Sequence, residues 1–180
     1  LTERTIYHAL KGSITNLPIY PVQGKENLWA VPAHLSLGSI EMEIQQKKGG
    51  EFLLKQLIAN CSTAYDYIII DCPPAISLLT LNALIASTGV IIPIEADGFA
   101  LHGILKLGAI IEQIRSSANP GLKILGLLIT KYDKRKTLSR EVENILHNSP
   151  LYPLLQPSIR TNIALSEASL NRQDIFSYAP

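Results

Sequence analysis

Tyr65-Asp66-Tyr67-Ile68-Ile69-Ile70-Asp71-Cys72-Pro73-Pro74 is the stretch that decides the fold. Residues 67–70 form an unbroken apolar run bounded by acids and then by two prolines, which reads as a short strand buried on both faces of a parallel sheet. Such a strand delivers Asp71 to its carboxyl end, where open α/β sheets hold their ligands. A carboxylate there suits Mg²⁺, directly or through a water, because a hard cation takes oxygen ligands. An acid that merely ends a strand or caps the next helix fits the same pattern. Pro73 and Pro74 remove two amide donors and stiffen the turn that follows.

Outward from this segment, short aliphatic runs alternate with longer helical patterns. Strands are expected over 27–31, 67–70, 90–94, 124–130 and 152–155, and helices over 3–10, 40–60 with a weak point at Gly49 and Gly50, 78–87, 101–117, 139–147 and 163–170. Leu101, Ile104, Leu105, Leu107, Ile111 and Ile114 recur at helical steps until Asn119, Pro120 and Gly121 stop them. The fold class is therefore α/β: a doubly wound, mostly parallel sheet with helices on both faces, in one domain over 1–180. Residues 72–94 carry no formal charge, but only 14 of the 23 are apolar and Pro73, Pro74, Gly89 and Pro93 interrupt them, so they read as loop, helix and strand rather than a membrane span.

The composition agrees with an aliphatic core. There are 27 leucines and 24 isoleucines among 180 residues, against three phenylalanines and one tryptophan. Sixteen lysines and arginines against 15 acids leave a net charge of +1, so any affinity for nucleic acid has to come from local clustering. That clustering exists between 123 and 140, where Lys123, Lys131, Lys134, Arg135, Lys136 and Arg140 meet one acid, Asp133. It reads as a DNA-phosphate patch or as a solvated loop. Cys61 and Cys72 pair with nothing in spacing, which fits a reducing, cytoplasmic setting, and Cys72 reads as a small buried residue rather than a nucleophile. His8, His34, His102 and His147 show no metal spacing and suit surface or capping roles; Glu112 and Arg115 read as a solvated helix pair.

The decisive stretch, with Leu78-Leu79-Thr80-Leu81-Asn82-Ala83-Leu84, Val90-Ile91-Ile92-Pro93-Ile94, Phe99-Ala100-Leu101-His102-Gly103, Gly126-Leu127-Leu128-Ile129-Thr130-Lys131-Tyr132-Asp133 and Ile159-Arg160-Thr161-Asn162-Ile163-Ala164-Leu165-Ser166-Glu167-Ala168, resembles in order the ParA/Soj partitioning ATPases of the ParA/MinD superfamily. The resemblance implies a P-loop NTPase-like three-layer fold, ATP and Mg²⁺ as cofactors, an ATP-dependent dimer, non-specific DNA binding, a partner protein on a centromere-like site and a nucleoid-associated place in the cytoplasm, with no membrane partner. By position, Asp71 matches the acid that serves Mg²⁺ and catalysis, Pro73 and Pro74 the switch after it, and Thr130 with Pro157 the adenine pocket. Asp97 falls in a loop near the dimer interface. Lys131, Lys134, Arg135, Lys136 and Arg140 match the basic DNA-binding loop, while Ala164 stands where chromosomal relatives often carry arginine.

Such an enzyme also needs a Gly-rich phosphate loop with its lysines. Lys48-Gly49-Gly50 imitates the start of one, but Glu51, Phe52 and Leu53 follow it, so it reads as a solvated helix break. The chain is accordingly read as lacking the first βαβ unit of the fold. That implies a poor ATPase as it stands, an uncovered strand beside Asp71, and a tendency to associate. Two alternatives stay open: a MinD-type cell-division ATPase, which would need an amphipathic C-terminal helix not found in this sequence, and a nucleotide-independent interaction module.

Overall fold

The computed structural model describes residues 4–61, 64–97, 100–149 and 151–180, with backbone alone at Ala100 and Leu101. Glu3, where the first helix was expected to begin, and Phe99 of the fourth resembling block lie outside these residues. The chain divides into two compact units, one running to Thr88 and including Ile114–Leu122, the other made of Gly89–Gln113 and Lys123–Pro180.

The first unit is mainly helical. Helix α1 (Ile6–Lys11) starts at a capping box in which His8 Nδ1 accepts from the Thr5 N–H. It ends at Gly12, where Lys47 Nζ donates to the carbonyls of Leu10 (3.2 Å) and Lys11 (2.7 Å). A cation on orphaned C-terminal carbonyls satisfies both hydrogen bonding and the helix dipole. Two short strands, β1 (Tyr20–Pro21) and β2 (Trp29–Ala30), pair antiparallel. Helices α2 (Ile40–Gln45), α3 (Leu53–Ala59) and α4 (Leu78–Ala86) complete the unit. Ile40 with Ile44 and Leu54 with Leu57 sit four and three residues apart, so each pair shares a helix face. These faces bury with Ala9, Leu10 and Ala83 in one cluster; each fully buried isoleucine contributes about 1.5–3 kcal/mol.

The second unit contains the parallel pair. Strand β3 (Gly89–Glu95) runs beside β4 (Lys123–Thr130), and helix α5 (Ala100–Ser117) connects them as a βαβ crossover. Val90 faces Ile124 but Ile91 faces Gly126, so Leu125 is an extra residue bulged from the ladder. Ile92, Ile94, Leu127 and Ile129 fill the interior side. Helices α6 (Thr137–His147), α7 (Ile163–Leu170) and α8 (Ile175–Tyr178) follow. On α6 the buried Ser139, Val142 and Leu146 repeat at helical spacing.

The α/β class holds, and four elements differ in detail from the expectation. Residues 67–70 form no ladder: no other strand among the described residues runs beside them, and Tyr67 and Ile69 stand 88% and 92% exposed. An apolar run becomes a strand only when a partner takes its backbone groups. Residues 152–155 make one parallel bridge, Leu127 to Leu154, instead of a full strand. The strand over 27–31 shrinks to Trp29–Ala30. The helix over 40–60 divides at 46–49, where Gly49 takes a left-handed φ of 74°, and the packing of Gly50 closes the turn.

Candidate functional site

Asp71, Pro73 and Pro74 belong to the first unit, and all three are exposed. Asp71 and Pro73 border a cleft of about 330 Å³ whose walls also include Leu10, Glu41, Leu54 and Ser77. Glu41 is committed within it, since Oε1 accepts from the Leu79 N–H at 3.2 Å near the start of α4. Ser77 Oγ is buried without a hydrogen-bond partner. A lone carboxylate is a sufficient protein share for Mg²⁺, which is bound through one or two carboxylates together with phosphate oxygens and water. Asp71 fits that role. Among the described residues no cluster of three histidines, cysteines or acids could hold a metal by itself.

Two expectations about this region need correction. Cys72 is exposed, not buried. Partial desolvation first, then the neighbouring Asp71 charge, pushes its thiol above the ordinary range, which disfavours thiolate as a nucleophile would not. Lys48-Gly49-Gly50 breaks the helix as expected, with Lys48 exposed, but Gly50 is packed rather than solvated. Gly50 is buried, its N–H donates to Lys47 O and its carbonyl accepts from Asn82 Nδ2, each at 3.0 Å, so its one phosphate-binding donor is already used within the turn. His8 and His34 cap helical turns, while His102 and His147 are exposed, as their spacing implied.

Thr130 ends β4 in the second unit, and Pro157 lies in a segment that is hydrogen-bonded along that strand. The irregular run 153–161 follows β4 as a partial third strand. Leu127 N–H donates to Pro153 O, Leu155 N–H to Leu127 O, and Ile159 N–H to Ile129 O, all at 2.8 Å. Thr130 is half-buried with its hydroxyl donated to Ile94 O at 3.3 Å, which leaves its lone pairs as acceptors. Pro157 is exposed beside the end of the same strand. Asp97, in the loop after β3, donates its backbone N–H to Glu95 O.

The chain leaves β4 through Lys131, whose φ of 51° is left-handed and costs a non-glycine residue about 1–2 kcal/mol. Tertiary bonds hold it there. Thr161 Oγ1 donates to Lys131 O at 2.9 Å, and Tyr132 exchanges backbone bonds with Ile159 and Thr161. Tyr132 also donates its hydroxyl to Glu143 Oε2 at 2.6 Å, fastening the loop to α6 and raising the phenol's pKa through that bond.

Within this frame the five cations expected to bind DNA fall into two groups. Lys131 is paired with Glu95, and Arg135 with Asp133. Lys134, Lys136 and Arg140 are exposed, and none makes an ion pair among the described residues; Arg140 Nη2 reaches only Thr137 Oγ1, at 3.4 Å. They surround the start of α6, which has no side-chain cap and no acid in its first turn. The first-turn amide donors and the positive end of the helix dipole add to the three cations, so the start of α6 is electropositive.

The Arg135 guanidinium, assisted by the Arg135 N–H, lowers Asp133 from 3.8 to about 2. A depressed carboxyl stabilises the folded turn at pH values above its ordinary range, and the contribution disappears as pH falls through about 2. A carbon-13 titration should therefore place the Asp133 inflection near 2 with the loop unaltered between pH 7 and pH 4. An inflection at the ordinary carboxylate position would show that the pair does not form in solution.

Comparison with known proteins gives these features a context. A family model described as an AAA domain matches residues 2–124. The chromosome-partitioning ATPase Soj of Thermus thermophilus is 35% identical over 178 residues, covering 99% of this chain and 68% of that protein. A plasmid partition protein from Borrelia burgdorferi superimposes with a TM-score of 0.75 at 26% identity, over 97% of this chain and 68% of the other. Cobyrinic acid a,c-diamide synthase from Mycobacterium smegmatis, solved with bound ADP and magnesium, gives a TM-score of 0.80 at 28% identity over 95% and 73%. No helix among the described residues is long and apolar enough to cross a membrane.

Proposed function

The chain belongs to the ParA/Soj family of AAA-domain partitioning ATPases, and from that premise we propose that it serves plasmid or chromosome partitioning by gripping the DNA backbone without sequence preference. The observation that carries this reading is the trio Lys134, Lys136 and Arg140 around the uncapped start of α6. Phosphate contacts of this kind supply non-specific affinity and make it fall with salt. Asp71 would hold Mg²⁺, and Thr130 with Pro157 would face the base of ATP. The metal, when bound, neutralises charge developing on a transferred phosphoryl group. An ATP-dependent dimer, a partner protein on a centromere-like site and a nucleoid-associated location complete the proposal.

Fluorescence anisotropy with a 30-base-pair duplex of arbitrary sequence, between 50 and 200 mM salt, tests the DNA step. Wild type should lose affinity steadily as salt rises. Replacing Lys134, Lys136 and Arg140 together by alanine should flatten the slope of log affinity against log salt by about 2–3, since each contact contributes about 0.9. A triple variant with the wild-type slope would clear the loop of this role.

A further inference from the structure

We propose that Asp133 competes with DNA phosphate for Arg135 and so holds down the affinity of the basic loop. The inference rests on the reading that this loop binds the DNA backbone, and it deepens that reading by assigning an intrinsic regulator. The geometry is fork on fork. Arg135 Nε donates to Asp133 Oδ1 and Nη2 to Oδ2, each at 3.1 Å. Those are the paired donors with which arginine grips a phosphate, so both anions claim the same edge of the guanidinium.

The two partners are held very differently. Asp133 has a side chain only 19% exposed, and its Oδ1 also accepts the Arg135 backbone N–H at 3.0 Å, which pins the carboxylate to the turn. The Arg135 side chain is 86% exposed and is held by little else. Opening the pair thus means swinging the arginine away while the acid remains. An exposed pair of this kind is weak, so the acid tunes DNA binding instead of abolishing it. Lys134 and Lys136 flank Arg135 in sequence and make no ion pair among the described residues, although the Lys136 charge also acts on Asp133; they make the first phosphate contacts, with Arg135 recruited against competition.

Asp133→Asn isolates the charge, because the amide oxygen can still accept the Arg135 N–H and keep the turn. In the anisotropy experiment above, D133N should bind the duplex about three- to tenfold more tightly at 50 mM salt, and its salt slope should steepen by about one contact. The double variant D133N/R135Q should lose that gain. E141Q removes the same charge from the exposed face of α6 without releasing a guanidinium, and should improve binding less than twofold with an unchanged slope. If D133N does not fold by circular dichroism, D133S, whose hydroxyl can accept the same N–H, repeats the measurement. The proposal is overturned if D133N matches wild type, if E141Q matches D133N, or if the gain survives in D133N/R135Q. Absence of salt-dependent binding in wild type and D133N alike would remove the DNA reading and this inference together; salt-dependent wild-type binding with an inert D133N would remove this inference alone.

Discussion

Replacing Gly50 by alanine should destabilise the first unit by about 3 kcal/mol or more, at the upper end of what overpacking costs, whereas the same change at Gly49 should cost about 1–2 kcal/mol. A Cβ at Gly50 would lie 2.1 Å from the Ile44 carbonyl oxygen and 3.0 Å from its carbonyl carbon. Neither atom can yield without shifting α2, because Ile44 is fully buried and its carbonyl also accepts from Lys47. The disturbance would spread through Asn82, which is 1% exposed, donates to Gly50 O at 3.0 Å and accepts from the Leu54 N–H at 3.1 Å. Any retreat of residue 50 loosens the Asn82 side chain, which ties the turn and the start of α3 to α4. At Gly49 nothing lies within 4 Å, so alanine there meets only the left-handed backbone. Thermal melts should therefore separate the neighbours: Tm should fall by about 6–12 °C for Gly50→Ala and by half that or less for Gly49→Ala. Equal, small losses would mean that the turn is as solvated as its sequence suggests.

This turn illustrates what a linear reading can reach. Glycine punctuation announces a helix break, but whether the break is wet or packed depends on Ile44 and Asn82, contacts that no local pattern encodes. Elements whose periodicity is strong and whose partners lie close in sequence, β3, α5, β4 and α7, stand within a residue or two of their expected bounds. Residues 67–70 carry an equally apolar pattern and form no strand, because strand formation belongs to the pairing and not to the segment. β1, the partner of Trp29–Ala30, has no sequence signal for the opposite reason: a two-residue strand containing Pro21 leaves almost no periodicity.

The functional residues divide along the same line. Asp71 stands out as a candidate because an acid after an apolar run is a local fact. The basic loop was legible as a count of charges, but the count overstated what is free for phosphate. Lys131 meets Glu95 across 36 residues of chain, and Arg135 folds back on Asp133 only because of the turn the loop adopts. In the sequence Asp133 is merely the single acid among six cations. Its position two residues before Arg135 was the available signal, and only the structure turns that spacing into a bidentate pair.

Gly126→Ala should have the second large effect, and it reaches the segment that carries Pro157. Gly126 follows the bulged Leu125 in β4 and lies against the run 153–155. A Cβ there would lie 2.7 Å from Leu155 Cγ and 2.8 Å from the Pro153 carbonyl oxygen. The Leu155 side chain could turn aside, but Pro153 O is fixed as the acceptor of the Leu127 N–H, and Leu127 is buried. The strand and the run must therefore separate, at a cost of about 2–3 kcal/mol. The separation would free the Leu127 and Leu155 amides and loosen the path through Pro157 to Ile159 and Thr161, which hold Tyr132 and Lys131 in place. Hydrogen exchange should register the change as lost protection at Leu127, Leu155 and Ile159 while α1–α4 keep theirs, because the altered contacts all lie in the second unit. Protection equal to wild type at those three amides would show that 153–159 does not lean on β4 through Gly126.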